Sequence, residues 1–317
     1  MIGYIARRLV ASAALLVAAS FIIFSFTFIA PGSPLSVLLG GHNVTTAEIN
    51  ALKARYDLNA PFLVQYVHWF SGIITGNFGQ SIDLQSPVSQ IVGPKILPTV
   101  ELAAFAGVLV VIFGFLGGVV AAVKKGKAID GLLSAGTLIG SSVAPYVSAL
   151  LLIIVFAAKL GWFPVYGLGG PGLGSRIYHL TLPAISLAML LAAFVGRVTR
   201  AAMIDALELD YVDTARSRGM SFRNVVFRHA LRSALIPIVT VGALASGYLI
   251  TGAVVIEYTF ALNGLGGGLI TAIQDKDYAV VQAIALIFTA VFIAANFIAD
   301  LLYLVIDPRL RIGGARA

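Results

Sequence analysis

Few residues in this sequence are arranged to carry covalent chemistry. The four histidines (His42, His68, His179, His229) are scattered, and none has a metal-ligand spacing. There is no cysteine, which excludes disulfides and thiol nucleophiles. A phosphate loop of the form G-x-x-x-x-G-K-[ST] is missing, because Gly126-Lys127 lacks the upstream glycine and is followed by Ala128. Gly167-Leu168-Gly169-Gly170-Pro171-Gly172 does match G-x-G-x-x-G, but it does not sit between a strand and a helix. The residues that stand out instead are charges in apolar surroundings. Asp300 sits inside a long apolar run, where a carboxylate is costly and needs a partner. Arg197 or Arg200, at the end of another run, is placed to reach it, as a structural ion pair or as part of a solute contact. Glu101 and Glu257 lie near the ends of their runs, and Glu257 precedes a stretch containing Gly264, Gly266, Gly267 and Gly268.

The elements that position these groups follow from composition. Hydrophobic residues make up 59% of the 317 residues and charged residues only 11%, against about 25% charged in a soluble domain. Lipid is therefore the expected solvent. Six stretches approach the roughly 20 apolar residues that span a bilayer core. They run from Leu9 to Ala30, from Glu101 to Lys124, between Asp130 and Lys159, from Leu180 to Gly196, between Arg232 and Glu257, and between Asp277 and Asp300. Each is read as a helix, because a backbone in lipid must satisfy its own hydrogen bonds. The first run is longer than a signal-peptide core and is read as a retained anchor.

Lys and Arg set the orientation. With the N-terminus inside, fifteen of the 21 basic residues fall on the cytoplasmic side, including Lys124, Lys125, Lys127 and seven arginines from Arg197 to Arg232. Both termini are then cytoplasmic. Residues 31–98 form an outer loop, expected to hold one short helix over Glu48–Tyr56 and an amphipathic one over Pro61–Ile74. The net charge of +7 sorts by membrane side, so nucleic acid is not an expected partner.

The cytoplasmic loop over 203–234 has a clear local grammar. Asp210 suits an N-cap and Asp213 the third helical position, where a carboxylate favours the helix dipole. A short helix from Tyr211 to Arg218 then closes at Gly219, which suits the left-handed position after a helix. Met220 and Ser221 lead into a second helix. A solvated connector would read this way too; the small residues Thr214, Ala215 and Gly219 favour a surface that lets a partner come close.

Asp213-Thr214-Ala215-x-x-x-Gly219 resembles the E-A-A-x-x-x-G loop of ABC importer permeases, with Asp for Glu and Thr for Ala. The resemblance to the dipeptide/oligopeptide/nickel branch covers nearly the whole chain. It includes Pro31-Gly32-Ser33-Pro34, Gln65-Tyr66-x-x-Trp69, Gly76-Asn77-Phe78-Gly79-x-Ser81, Pro98-Thr99-Val100-Glu101-Leu102, Arg197-x-x-Arg200, Asp210 to Arg216, Arg228 to Arg232, and Glu257-Tyr258-x-Phe260 with Gly264-Leu265-Gly266. The sequence departs from the wider family at Arg232, where a proline is usual, and the nearest proline is Pro237.

The resemblance implies an all-α, type I ABC importer permease-like bundle of about six helices, a single transmembrane permease domain over 1–317 in a bacterial inner membrane. It implies a homologous second permease, two ABC ATPase subunits and an extracytoplasmic solute-binding protein as partners. ATP and Mg would be bound by the ATPases, with no cofactor and no metal site in this chain. Tyr211, Asp213, Thr214, Ala215, Arg218, Gly219 and Met220 would form the coupling segment. Glu257, Tyr258, Phe260 and Asn263 are the candidates for the translocation path or outer gate. Peptides, nickel complexes, glutathione and haem all fall within this branch as solutes. Two other classes are weighed against it. An ion-coupled carrier needs carboxylates near the midplane of broken helices, and a membrane enzyme needs a polar cluster at one depth. The sequence offers few of the first and none of the second.

Overall fold

The need to close every backbone hydrogen bond within lipid turns each apolar stretch into a helix. The computed structural model describes residues 2–29, 60–81 and 83–306. Its helices are α1 (Ile2–Ile29), α2 (Phe62–Ile74), α3 (Val88–Val123), α4 (Ala128–Ser142), α5 (Pro145–Lys159), α6 (Leu173–Leu207), α7 (Asp210–Ser217), α8 (Phe222–Thr259), α9 (Leu265–Gln274) and α10 (Tyr278–Ile306). The only extended pairing among the described residues is an isolated bridge between Gln80 and Pro87. Among the described residues five helices are long and apolar enough to cross a membrane, and there are six crossings if the bent pair of α4 and α5 is one span.

Three of the spans differ from the sequence reading. The second begins at Val88, not after Glu101, and runs through Pro94 and Pro98. A proline in a membrane helix is tolerated because neighbouring groups and local adjustments satisfy the freed carbonyl. The third is broken: α4 and α5 meet at a bend of 104°. Ala144 precedes Pro145 and takes an extended conformation with ψ 144°, since the proline ring disfavours helical geometry at the residue before it. The fourth, read as the shortest, is 35 residues long. At 1.5 Å per residue that is about 52 Å, well beyond a hydrocarbon core of about 30 Å. Its polar ends, from Ser175 to His179 and from Arg197 to Asp205, continue the helix where hydropathy alone stops. In the outer loop, α2 matches the expected amphipathic helix, while the one expected over Glu48–Tyr56 lies outside the described residues.

α6 is the centre of the bundle and packs on α3, α4, α5 and α8. The main core joins Leu102 and Ala106 of α3, Leu187 and Leu191 of α6, and Ala253 and Ile256 of α8. α1 lies at the edge, against α10 and α2. There Phe21 and Phe24 meet Phe62 and Tyr66 edge-on or tilted, with centroids 5.2–5.7 Å apart. Small residues set the closest approach. A Cβ added to Gly118 would stand 2.7 Å from the Gly196 carbonyl oxygen and 2.8 Å from Thr199 Cβ, so α3 and α6 touch backbone to backbone.

The charges pair differently from the sequence reading, which joined Asp300 to Arg197 or Arg200. Asp300 is instead 2.7 Å from Arg8 of α1. Arg200 grips Asp130 of α4 with two parallel bonds, Nε to Oδ1 at 2.6 Å and Nη2 to Oδ2 at 2.8 Å. The Gly126 amide and the Ser134 hydroxyl also donate to Asp130. Sequence gives a charge its depth, whereas its partner depends on which helices are neighbours. α10 packs beside α1, and α4 packs beside α6. Glu101, read as lying near the end of its run, pairs with Arg176 at 2.7 Å.

The close approach of α3 and α6 predicts a sharp contrast between adjacent glycines. Gly118→Ala should destabilise the detergent-solubilised protein by about 1–3 kcal/mol through overpacking, read as a lower unfolding temperature. Gly117→Ala, whose Cβ meets nothing nearer than 4.0 Å, should leave that temperature unchanged.

Candidate functional site

The loop over 203–234 folds as a short helix set across the ends of two long ones. α6 stops at Leu207, and Glu208 beyond it pairs with Lys125 at 2.7 Å. α7 follows at once, one residue earlier than read, so that Asp210 is its first helical residue and not its N-cap. The helix ends as its local sequence requires. Gly219 has φ +80°, and the Met220 amide reaches back to the Ala215 carbonyl at 3.2 Å, the long bond of a Schellman closure. No heavy atom lies within 4 Å of a Cβ added at Gly219, so conformation alone demands glycine there. Ser221 stands at the N-cap of α8, as read, but makes no capping bond through its side chain.

α7 has two faces. Val212 and Ala215 are buried against Val225 of α8, with Met220 beside them. Ala215 was read as part of the surface a partner approaches; instead its small side chain lets α7 lie close on α8. Thr214, Ser217, Arg218 and Gly219 are exposed. Thr214 returns its hydroxyl to the Asp210 carbonyl at 3.0 Å. Tyr211 bridges the faces: it is part-exposed, and its hydroxyl lies 2.7 Å from Ser233 Oγ on α8. The side chains of Asp213 and Arg216 lie outside the described residues. The result is a water-facing helical surface fastened to α8 by one small apolar core and one hydroxyl pair.

At the other end of α8, Glu257 was read as lining an outer mouth. It is instead fully buried. The chain turns sharply after Thr259, with Ala261 and Asn263 both in the left-handed region and the Leu262 amide bonded to the Glu257 carbonyl at 3.0 Å. α9 then returns over the end of α8. Glu257 Oε2 accepts the first-turn amides of Gly266 at 2.7 Å and Gly267 at 3.2 Å, where a carboxylate meets the positive end of the helix dipole. Thr99 of α3 accepts the Leu265 amide at 2.8 Å, and Lys95 donates to Asn263. Glu257 is thus a clamp that holds α9. Phe260 is buried in the main core, while Tyr258 and Asn263 are exposed. Ser81 and Thr99 entered the sequence reading only within resembling motifs, with no role given, and Lys95 and Asp277 were given none either; Ser81 pairs with Asp277 and so ties the segment before α3 to the start of α10. Thr99 and Leu265 are 166 residues apart, and no spacing rule brings them together.

In the glycine-rich stretch Gly167–Gly172 two amides are already engaged within the chain. The Gly167 amide is spent on the Phe260 carbonyl, and the Gly170 amide on Ser175 Oγ.

Comparison with known proteins places the whole chain. Residues 114–312 match the family described as "Binding-protein-dependent transport system inner membrane component", and residues 1–90 match its N-terminal counterpart. A probable peptide ABC transporter permease protein, y4tP, of Sinorhizobium fredii is 35% identical over 310 residues, covering 97% of this chain and 99% of that protein. The glutathione transport system permease protein GsiC of Escherichia coli K12 is 34% identical over 311 residues, covering 98% and 99%. Among solved structures, a chain from inward-facing conformations of the MetNI methionine ABC transporter superposes with a TM-score of 0.56 at 16% identity. That likeness covers 69% of this chain and 97% of the other, and it speaks for the fold. This helical bundle, with a short exposed helix between α6 and α8, therefore belongs to the family of inner membrane components of binding-protein-dependent transport systems.

Proposed function

We propose that this chain forms, with a homologous second permease, the path of an ATP-driven importer for di- and oligopeptide-class solutes, glutathione among them. The names of the full-length relatives support that solute class. An extracytoplasmic solute-binding protein delivers the solute, and two separate ATPase subunits bind ATP and Mg. The chain itself carries out no covalent chemistry.

The observation that carries the coupling role is the two-faced build of α7. Its exposed face, with Thr214, Arg218 and Gly219, is the docking surface for an ATPase. Its buried face, Val212 and Ala215 on Val225, hands any displacement to α8. Tyr211 adds a second link through Ser233. Closure of the ATPases on ATP shifts α7, and α8 carries the shift toward the outer end, where Tyr258 and Asn263 border the path. Glu257 acts there by holding α9, not by touching solute.

Two experiments test this. In the reconstituted complex, Gly219→Val should abolish solute-stimulated ATP hydrolysis, because a β-branched residue at φ +80° costs of order 1–3 kcal/mol and remodels the exposed turn. The variant should still insert and assemble, and normal stimulation in it would remove the coupling assignment. For the solute class, proteoliposomes holding the complete complex should take up labelled peptides or glutathione only with ATP and the binding protein present. Uptake by this chain alone would point to a secondary carrier instead.

A further inference from the structure

Near the cytoplasmic edge of the membrane, α3, α4 and α6 enclose a cleft of about 250 Å³ that the coupling segment does not use. Gly117, Gly118, Ser134, Thr137, Arg197 and Arg200 line it. An apolar groove of about 300 Å³ adjoins it, bordered by Leu109, Leu132, Gly136 and Met189. Cleft and groove share Phe113, Leu133 and Thr137, so one opens into the other. The rim faces outward from the bundle: Phe113 is 64% exposed and Leu132 74%. In a bilayer a rim of this kind, where no other subunit covers it, meets hydrocarbon.

The two arginines of the cleft are not equivalent. Arg200 is neutralised by its bidentate bonds to Asp130. Arg197, one turn earlier, is exposed, and no carboxylate lies within ion-pair reach of it among the described residues. Its depth is informative. Gly118 lies six residues before Lys124, where α3 leaves the membrane, which is about 9 Å along a helix. That is the level at which the phosphates and glycerols of the inner leaflet meet the acyl chains. Lys124 and Lys127 add positive charge at the same edge. A free cation at phosphate depth, opening onto an apolar groove, matches one kind of molecule, which carries an anionic head and an apolar tail. A soluble anion has no use for the groove, and a neutral lipid none for the charge.

We propose that this cleft binds an anionic phospholipid of the inner leaflet, with its phosphate on Arg197 and one acyl chain in the groove between α3, α4 and α6. The proposal rests on placement in the membrane and is independent of the coupling role of α7.

The test uses the complete transporter in phosphatidylcholine vesicles. The chain's own tryptophans, Trp69 and Trp162, sit at the outer side, so Leu138→Trp at the cleft gives a separate signal once the fluorescence of the unsubstituted complex is subtracted. Brominated phosphatidylglycerol should quench that signal about fivefold more effectively than the same fraction of brominated phosphatidylcholine, the effect expected of one basic group at the surface. The preference should vanish with Arg197→Gln and survive Lys159→Gln on the outer side. Equal quenching by the two lipids, a preference that survives Arg197→Gln, or displacement by excess inorganic phosphate would each overturn the proposal. So would the absence of quenching by either lipid, the result expected if a second subunit covers this face.

Discussion

The rest of the bundle depends on one contact, the backbone-to-backbone crossing of α3 and α6 at Gly118 and Gly196. In lipid an apolar side chain gains little by leaving hydrocarbon for protein, so helices associate through close packing and polar bonds. Where two backbones nearly touch, dispersion contacts are dense and no rotamer freedom is lost. From that crossing α6 extends inward past the point where hydropathy would end it. Its inner half then takes up α4 through Arg200 and Asp130, and its end presents α7 to the cytoplasm. A looser crossing would move all three together, because each is referenced to α6.

α8 joins the two ends of the molecule. Its inner end supplies Val225 to the small core under α7 and Val226 to a second core with Val119 and Met203. Its outer end carries the Glu257 clamp on α9. Between them the helix is least regular near the inside. Val225–Ala230 is π-helical, and Pro237 removes a further ladder bond one to two turns on. The irregular stretch lies at the inner end, while the outer half packs on α3, α6 and α10. The position of that stretch, directly after α7, is where a push on α7 would be converted into movement of the span.

How much of this was legible in the sequence depended on range. The existence of α7 and its closure at Gly219 were readable, since a glycine in the left-handed position after a helix is a local signal, while its start came one residue earlier than read. The bend before Pro145 was also local, but an apolar run on either side masked it. The second span was started at Glu101, whereas its helix begins at Val88 and carries Pro94 and Pro98 within it, as a membrane helix can. The pairings were not legible. Asp130, Glu101 and Asp300 each had several cations at suitable depth, and the choice among them is made by helix neighbours. Glu257 was placed at the right depth and given the wrong surroundings, since its burial is created by α9 folding back over it. A carboxylate that holds a helix and one that waits for a solute look alike until that return is known.

The same distinction applies to the basic residues. The positive-inside bias explains why arginines gather on the cytoplasmic side, but it treats them as interchangeable. The structure separates them by what they meet. Arg8, Lys125 and Arg200 each face a carboxylate and serve the architecture. Arg218 stands in water on the exposed face of α7, where charge can select a protein surface. Arg197 stands at the edge of the bilayer beside an apolar groove, where the nearest abundant counter-charge is a lipid phosphate. Among the described residues Arg197 meets no carboxylate, and a cation at that depth gains from a counter-charge that offsets its desolvation, which a lipid phosphate would supply.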